Sequence, residues 1–260
     1  MRFGCCVKTL DEVDILARAG YDFCELPAAS VQPFEDEAAA LPALRALDDA
    51  RLRPESFNLL IPPQLPLVGP EADLAGVRAY ARRAFPRMAR VGAALAVLGS
   101  GPARRIPDGT PRAQGLDQLA TALALLGEEA SRAGLQLALE HLNQTECNVF
   151  TTLAESQAFL EERGLSTVWL IADLHHLEME REPLQHVFDA ASRLVHVQVA
   201  DGGRRAPGVG GYDYAGFMRA LRAANYDRRI SAECRWDDLA SQAAGALAFM
   251  RQQWDDPGDV

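Results

Sequence analysis

Short apolar segments and longer amphipathic segments alternate along the whole chain. Eight apolar runs of six to eight residues are separated by Ala-, Leu-, Glu- and Arg-rich stretches with helical spacing, such as GLDQLATALALLGEEASRAG. Strands that alternate with helices form parallel sheets, and eight such units are the number that closes a barrel. We therefore predict an α/β fold, a single-domain (β/α)8 TIM barrel over residues 1–260. The predicted strands cover residues 2–7, 21–26, 52–59, 94–99, 135–140, 168–173, 194–199 and 229–234.

Two segments interrupt this repeat. Residues 59–73, LLIPPQLPLVGPEAD, form a long Pro-rich loop after the third strand, which we expect to act as a lid over the barrel mouth. A loop packed on the barrel rim is the alternative, and the sequence does not separate the two. The last residues, 254–260, are expected to fray.

Composition narrows the class of protein. With 36 acidic and 26 basic residues the net charge is −10, which disfavours a nucleic-acid partner. No apolar run of about 18 residues could span a bilayer, so we expect no membrane partner. The five cysteines lack CxxC spacing, which favours reduced thiols, and charged residues occur too early for a signal peptide. A cytoplasmic location fits these features best.

Polar side chains lie at or near the C-terminal ends of predicted strands, the end at which barrels of this kind bind ligands. Three clustered carboxylates repel one another and are driven to protonate unless a cation lies among them. Oxygen atoms of Glu140, Asp173, Gln198 and Glu233, from strands five to eight, are suited to a hard divalent ion. The sequence therefore predicts a metal site at this end of the barrel. The full set of strand-end polar residues is Glu25, Asn58, Glu140, Asp173, Gln198 and Glu233.

Three histidines are close to these residues in the sequence. His196 and Gln198 are two residues apart in LVHVQV and so point to the same face of a strand. His196 lies one layer deeper, where we expect it to orient a ligand carboxylate. His176 follows the sixth strand in ADLHH and could reach a substrate oxygen, and His175 remains an alternative for that role. The Gly-rich loops GSG (99–101) and PGVGG (207–211) either cradle phosphate or are tight turns.

Four motifs together resemble the xylose-isomerase-like barrel superfamily of sugar isomerases and epimerases. LALEHLNQTECN is similar to that family's fifth strand, which implies Glu140 as a metal ligand and Glu146 as a substrate contact. ADLHH resembles its Asp-x-x-His motif, which implies Asp173 as a ligand and His176 as a substrate contact. The resemblance covers nearly the whole chain.

The other two motifs concern the seventh and eighth strands. HVQVADGGR is similar to the family's seventh strand, which implies Gln198 as a ligand and Arg204 as a substrate-binding residue. The segment that ends in Glu233 resembles the family's closing strand, whose glutamate is the last metal ligand. Asn58 is a further candidate substrate contact. The ketose 3-epimerases of the superfamily carry His where this chain has Gln198, so the resemblance favours the hydroxypyruvate-isomerase-like branch.

The resemblance implies a metal-dependent sugar isomerase or epimerase that transfers a proton through an enediolate. Glu140 and Glu233 would act as general acid and base on opposite faces of the reacting carbon pair. Mg²⁺ or Mn²⁺ is the favoured cofactor because an amide oxygen replaces imidazole, and Zn²⁺ is an alternative. The partner would be a small sugar or hydroxy-carbonyl compound. The oligomeric state is open, with a homodimer or a homotetramer both compatible with the sequence.

Other functions remain open. A polyol-ketone (inosose-type) dehydratase on the same barrel would begin with the same proton removal and then expel hydroxide. An endonuclease IV-like DNA-repair protein is less favoured, because the additional His ligands of a three-zinc cluster are not evident in strands two and three. The presence of both candidate acid–base glutamates argues against a non-catalytic sugar-binding barrel.

Overall fold

Eight parallel strands close into a barrel in the computed structural model, which describes residues 1–256. The strands pair in chain order, and the last returns to the first, so that Arg2 pairs with Arg229 and Cys5 with Ala232. Each observed strand overlaps its predicted counterpart, and the predicted (β/α)8 fold is confirmed. The strands are β1 Arg2–Cys6, β2 Phe23–Pro27, β3 Pro54–Asn58, β4 Leu95–Leu98, β5 Gln136–Glu140, β6 Val168–Asp173, β7 Leu194–Val199 and β8 Arg229–Ala232.

Helices connect the strands and cover the outside of the barrel. Within residues 1–256 no helix is both long and apolar enough to cross a membrane. Two short 3₁₀ turns, Ala28–Val31 and Ala191–Arg193, accompany the helices. The α-helices of the described chain are α1 Leu10–Ala19, α2 Glu37–Asp48, α3 Leu74–Arg90, α4 Gly101–Arg104, α5 Arg112–Arg132, α6 Leu153–Glu162, α7 Leu174–Glu180, α8 Gln185–Asp189, α9 Tyr214–Ala223 and α10 Leu239–Asp255.

Side chains fill the inside of the barrel below its mouth. Val97, Ala138 and Ile171 belong to one buried cluster there. Ala138 and Ile171 stand two residues before Glu140 and Asp173, so they share the inward face of their strands with those carboxylates. His196 and Ser231 are also buried inside the barrel, so the layer beneath the mouth is closely filled but partly polar, and the mouth is the accessible end.

The Pro-rich loop 59–73 packs on the barrel rim. Ile61 and Leu67 are buried, and the Ile61 N–H donates to Ser100 Oγ at 2.9 Å. Leu59, at the start of the loop, lines the cavity at the barrel mouth. The loop thus forms a wall of that cavity in the rim-packed arrangement, and its movement as a lid remains a prediction.

The C-terminal helix extends into the segment that was expected to fray. Trp254 and Asp255 belong to α10, and their carbonyl oxygens accept hydrogen bonds from Arg222 at 2.7 and 3.3 Å. Carbonyl groups at a helix end lack intrahelical donors, so this guanidinium stabilises the last turn. Residues 257–260 of the predicted tail lie outside the described residues.

Candidate metal centre

The four predicted ligands lie at the C-terminal ends of four neighbouring strands, at the mouth of the barrel. Glu140 and Asp173 are the last residues of β5 and β6, and Asp173 pairs in register with Gln198 of β7. Glu233 follows β8 directly, and its N–H donates to Val199 O at 2.9 Å. The first three side chains are buried, whereas 19% of the Glu233 side chain is exposed. The pattern of strand-end residues in the sequence thus corresponds to one place in the fold.

His176 lies beside two of the carboxylates, those of Glu140 and Asp173. Ligand atoms of Glu140, Asp173 and His176 lie within 4.8 Å of one another. His176 Nε2 is 3.4 Å from Glu140 Oε1 and 3.7 Å from Asp173 Oδ2. The backbone N–H of Asn143 donates to His176 Nδ1 at 3.1 Å, which turns Nε2 towards the carboxylates. His176, predicted as a substrate contact, therefore also borders the ligand set, and Asn143 orients it.

Glu25 fixes the amide of Gln198. Gln198 Nε2 donates to Glu25 Oε1 at 2.8 Å, while Gln198 Oε1 is buried and has no hydrogen-bond partner within the described chain. His196 Nε2 lies 2.7 Å from the other Glu25 oxygen. The sequence predicts that His196 orients a ligand carboxylate, and in the structure the carboxylate beside its ring is Glu25, which is not one of the predicted ligands. His196 binds Glu25, which in turn orients the amide of Gln198, because the strand register brings β2 rather than a ligand strand opposite its ring.

The carboxylates do not ionise independently. Burial raises the pKa of Glu233 well above its usual value, and Glu140 and Asp173 raise it further against the lowering effect of Arg204. Burial also acts to raise the pKa of Asp173, but His176 and Arg204 outweigh it and lower that pKa. Ionised carboxylates this close repel one another, and a bound divalent cation would offset that repulsion. The carboxylate oxygens and the unpartnered Gln198 oxygen therefore fit a hard divalent ion.

Three further predicted residues border the same site. Arg204 lies in the loop after β7, with NH1 3.9 Å from Glu233 Oε2 and NH2 3.6 Å from Glu146 Oε1. Asn58 Nδ2 donates to Glu233 Oε1 at 3.4 Å. Glu146 stands at the edge, with 40% of its side chain exposed. The structure therefore brings all the predicted site residues to one end of the barrel.

The two Gly-rich loops have structural roles in this arrangement. A Cβ at Gly99 would collide with the Glu140 carboxylate, so the GSG loop makes room for that side chain. In the PGVGG loop, the N–H groups of Gly208 and Gly210 donate to Asp201 Oδ2 at 3.2 and 2.7 Å. Because this carboxylate already occupies those N–H groups, the second loop is a turn around Asp201.

A cavity of about 560 Å³ opens over these residues. Glu140, Glu233 and Arg204 provide its charged lining, and Leu59 and Ile61 belong to its apolar lining. This volume lies within the usual range for small-molecule sites. The mouth of the barrel can therefore hold a small molecule against the carboxylates.

Fold and site together define a (β/α)8 barrel with a carboxylate-lined cavity at the C-terminal ends of its strands. Residues 13–253 match the sequence model of the family described as xylose isomerase-like TIM barrel. The chain belongs to this family, and the resemblance carried by its motifs is confirmed.

Known relatives of the chain are sugar epimerases. It is 33% identical to the 3-dehydro-D-guloside 4-epimerase of Escherichia coli (strain K12) over 50% of each chain, so that match spans about half the length of the relative. It is 26% identical to the L-ribulose 3-epimerase of Methylomonas sp. (strain DH-1) over 94% of this chain and 85% of that one.

A solved structure shares the whole fold. The apo 3-keto-D-glucoside 4-epimerase from E. coli has a TM-score of 0.82 at 22% identity and covers 97% of this chain and 99% of its own. The names of these relatives agree with the predicted class of sugar isomerases and epimerases, and none of the three is a hydroxypyruvate isomerase.

Proposed function

We propose that the protein is a divalent-metal-dependent epimerase or isomerase of a small hydroxy-carbonyl sugar. The observation that carries this proposal is the placement of three carboxylates at the ends of β5, β6 and β8, where Glu140 lies beside Asp173 and lines one cavity together with Glu233, while the Gln198 oxygen at the end of β7 is buried and unpartnered. The epimerase activities named for the relatives support the same class of reaction.

The proposed ligands of the ion are Glu140, Asp173, Gln198 and Glu233. When bound, the ion supplies positive charge that stabilises the oxygens of an enediolate. A donor set made only of oxygen atoms favours Mg²⁺ or Mn²⁺, with Zn²⁺ as the alternative.

Glu140 and Glu233 are the proposed acid–base pair. One carboxylate would remove the proton from the carbon beside the carbonyl group, and the other would return a proton to the opposite face in an epimerase. Asn58 holds the Glu233 carboxylate in place through its 3.4 Å hydrogen bond.

The remaining residues would position the substrate. Arg204 lies beside Glu233 and has its NH2 atom 2.9 Å from His176 Nε2, so these two side chains would bind substrate oxygens side by side. Glu146, at the edge of the site, would pair with a terminal hydroxyl group. These contacts would hold the reacting carbon near the two glutamates, and correct placement accounts for a large part of the rate of such reactions.

A one-face isomerase is the second candidate, and Gln198 is the observation that favours it, because the resemblance links an amide at this position to the hydroxypyruvate-isomerase-like branch. An isomerase that moves a proton between adjacent carbons on one face needs one glutamate for the transfer. An epimerase needs two. The two candidates therefore differ in the number of essential acid–base residues.

The test separates proton exchange from net turnover. Metal-loaded wild-type protein, Glu140→Gln and Glu233→Gln are incubated in D₂O with ketoses, hydroxypyruvate and sugar acids, and C–H exchange and product are followed. Exchange that persists in one variant while both lose turnover supports an epimerase. Exchange and turnover that vanish together in one variant and survive, weakened, in the other support the isomerase.

Two controls exclude losses of activity that have causes other than the missing carboxylate. Glu128→Gln makes the same substitution on α5, away from the site, and should leave both rates unchanged. Bound metal is measured in each variant, and a variant that has lost its metal is set aside because it does not report on proton transfer. Absence of exchange with every compound in the metal-loaded wild-type protein would contradict the proposed function.

A further inference from the structure

A second cavity adjoins the one over the carboxylates. Its volume is about 240 Å³, and residues at or after the ends of β1, β3, β7 and β8 contribute to its lining. Asn58, Leu59, Arg204 and Glu233 line both cavities and form a common wall between them. A molecule bound at the proposed metal site can therefore extend into the second cavity.

Basic side chains dominate the second cavity. Of the described residues that line it, Lys8, Arg204 and Arg235 are basic and Glu233 is the only acidic one. Glu233 Oε2 lies 3.9 Å from Arg204 NH1, and Glu233 is also a proposed metal ligand. The protein as a whole has a net charge of −10, so this excess of positive charge is local. A cleft lined by one sign of charge attracts ligands of the opposite sign.

Lys8 and Arg235 have no anionic partner of their own. Within residues 1–256, neither of the two side chains forms a hydrogen bond or an ion pair. Both are exposed, and an exposed basic side chain without a partner is common on its own. Here two of them border one cavity beside the proposed reaction site, where their donor groups are available to a ligand.

The backbone holds the basic residues at this cavity. The Arg235 N–H donates to Arg204 O at 2.6 Å, which joins the loops after β7 and β8. The Lys8 N–H donates to Glu12 Oε2 at 2.7 Å, and the same oxygen accepts the Thr9 N–H at 2.9 Å at the start of α1. In barrels of this fold, the loops after the seventh and eighth strands frequently bind phosphate.

We propose that the substrate is an anionic keto sugar, whose end remote from the carbonyl group carries a phosphate or carboxylate that binds Lys8 and Arg235 in the second cavity. Its carbonyl group and a neighbouring hydroxyl group would lie at the metal site, so that the carbon beside the carbonyl group can lose its proton. This placement of the sugar rests on the proposed function, whereas the binding of an anion by Lys8 and Arg235 does not. Ammonium and guanidinium groups bind phosphate as well as carboxylate, so the experiment separates these two groups.

The experiment compares ketoses that differ only at the end remote from the carbonyl group. D-Fructose, D-fructose 6-phosphate and D-fructuronate form one series, and D-tagatose, D-tagatose 6-phosphate and D-tagaturonate form the other. Each compound is titrated calorimetrically into Mn²⁺-loaded protein that has been freed of excess metal. We expect at least one phosphate or uronate to bind about tenfold more tightly than the neutral ketose of its series, equivalent to about 1.4 kcal/mol. High NaCl should narrow this difference, because both basic side chains are exposed.

Two double variants assign the preference to the basic residues. Lys8→Gln/Arg235→Gln removes both charges from the second cavity and should bring the affinity ratio of charged to neutral ketose close to one. Arg18→Gln/Arg45→Gln removes two exposed arginines from the last turns of α1 and α2, which line neither cavity, and should leave the ratio unchanged. A preference that persists in Lys8→Gln/Arg235→Gln would show that the anion binds the Mn²⁺ ion instead, and would overturn the proposal.

Lys8 also permits a measurement without any sugar. It is the only lysine of the sequence, so reductive methylation with ¹³C-formaldehyde labels this side chain and the N-terminal amine. Methylation keeps the positive charge. In Mg²⁺-loaded protein, inorganic phosphate should shift the Lys8 NMR signal, which Lys8→Gln identifies by its absence, and Arg235→Gln should weaken this response. The N-terminal amine pairs with Asp227 at 2.7 Å and is the internal reference.

Either of two further results would overturn this inference. One is a set of phosphates and uronates that bind no more tightly than the neutral ketoses of their series. The other is a Lys8 signal that responds to phosphate no more strongly than the signal of the N-terminal amine.

These binding measurements are independent of turnover. A preference for the charged ketoses without C–H exchange in any compound would support the binding of an anion by Lys8 and Arg235 and count against the proposed function. Exchange in the neutral ketoses without a preference for the charged ones would do the reverse.

Discussion

The Gln198 side chain donates a hydrogen bond to Glu25 at 2.8 Å, across 173 positions of the sequence. Because the NH₂ end of the amide is engaged, its oxygen points away from Glu25 and is left buried without a partner within the described residues. His196 holds the second Glu25 oxygen at 2.7 Å, so the carboxylate cannot rotate freely. In the proposed metal site, Glu25 would thereby determine which end of the amide faces the cation.

Replacing Glu25 with Gln should weaken metal binding without unfolding the protein. The new amide can present its NH₂ group to Gln198, and the Gln198 amide would then turn its own NH₂ group towards the site. Loss of such a supporting contact typically costs 10- to 100-fold in metal affinity. Calorimetric titration with Mn²⁺ measures this change, and circular dichroism checks the fold.

A reciprocal exchange is the control for this substitution. In the double variant Glu25→Gln/Gln198→Glu an amide again faces a carboxylate, and the ligand position offers an oxygen whichever way the pair is oriented. Metal affinity should recover towards the wild-type value. Wild-type affinity in Glu25→Gln alone would show that Glu25 does not orient the amide.

Asp173→Asn should lose metal affinity and keep its fold. Asp173 Oδ1 accepts the N–H of His175 at 2.7 Å and so caps α7. Asn is an equally good capping residue, so the helix start should survive while the charge for the cation is lost. We expect weaker Mn²⁺ binding with a melting temperature close to that of the wild-type protein.

Chelation tests the requirement for a divalent ion in the unmodified protein. Exhaustive removal of divalent ions should abolish C–H exchange, and added Mg²⁺ or Mn²⁺ should restore it better than copper or nickel. Full exchange after chelation would remove the metal from the mechanism.

Gly99→Ala should displace the Glu140 carboxylate. A Cβ at position 99 would overlap Glu140 Oε2, so the side chain must leave its place beside His176. We expect a large loss of turnover with little change in secondary structure. Gly245→Ala is the matched control, because a Cβ there meets nothing within 4 Å and Ala is favoured over Gly inside α10. Equal turnover in the two variants would contradict a spatial requirement at Gly99.

The strand pattern predicts the barrel and the ligand cluster because both depend on local periodicity. Glu140, Asp173 and Gln198 lie at or near strand ends. Parallel strands bring their C-terminal ends to the same end of a barrel, independently of the conformation of the loops. The position of the site therefore follows from the order of the elements alone.

Contacts between distant strands could not be predicted in this way. The sequence shows that His196 and Gln198 share a face, but not that Glu25 of β2 lies opposite both, since the register across the barrel interior is set by closure. Asn143 was missed for a related reason, because the loop after β5 has no period to indicate that its N–H meets His176. Glu25 is one of the strand-end polar residues of the sequence, and that position predicts a place at the barrel mouth without naming a partner.

The loop that carries Arg204 is organised by one carboxylate. Asp201 accepts N–H groups from Gly208 at 3.2 Å and Gly210 at 2.7 Å through Oδ2, and from Tyr212 at 3.3 Å through Oδ1. The Tyr212 hydroxyl lies 2.9 Å from His175 Nδ1, which joins the loop to the start of α7. By fixing the shape of this loop, Asp201 helps to hold Arg204 in position.

Asp201→Asn should destabilise the protein and weaken substrate binding. An amide has one acceptor oxygen, so the N–H groups on one side of the side chain lose their partner. Gly208 and Gly210 are exposed and their N–H groups can bind water instead, so each lost hydrogen bond costs roughly 0.5–1.5 kcal/mol. We expect the free energy of unfolding in urea to fall by about 1–3 kcal/mol, and KM to rise more than kcat falls because Arg204 is no longer held. Asp238→Asn is the control, since Asp238 accepts the Ala240 N–H at 3.1 Å as the N-cap of α10 and Asn can take over that single bond. A loss of stability no greater in Asp201→Asn than in Asp238→Asn would show that the loop holds its shape without the carboxylate.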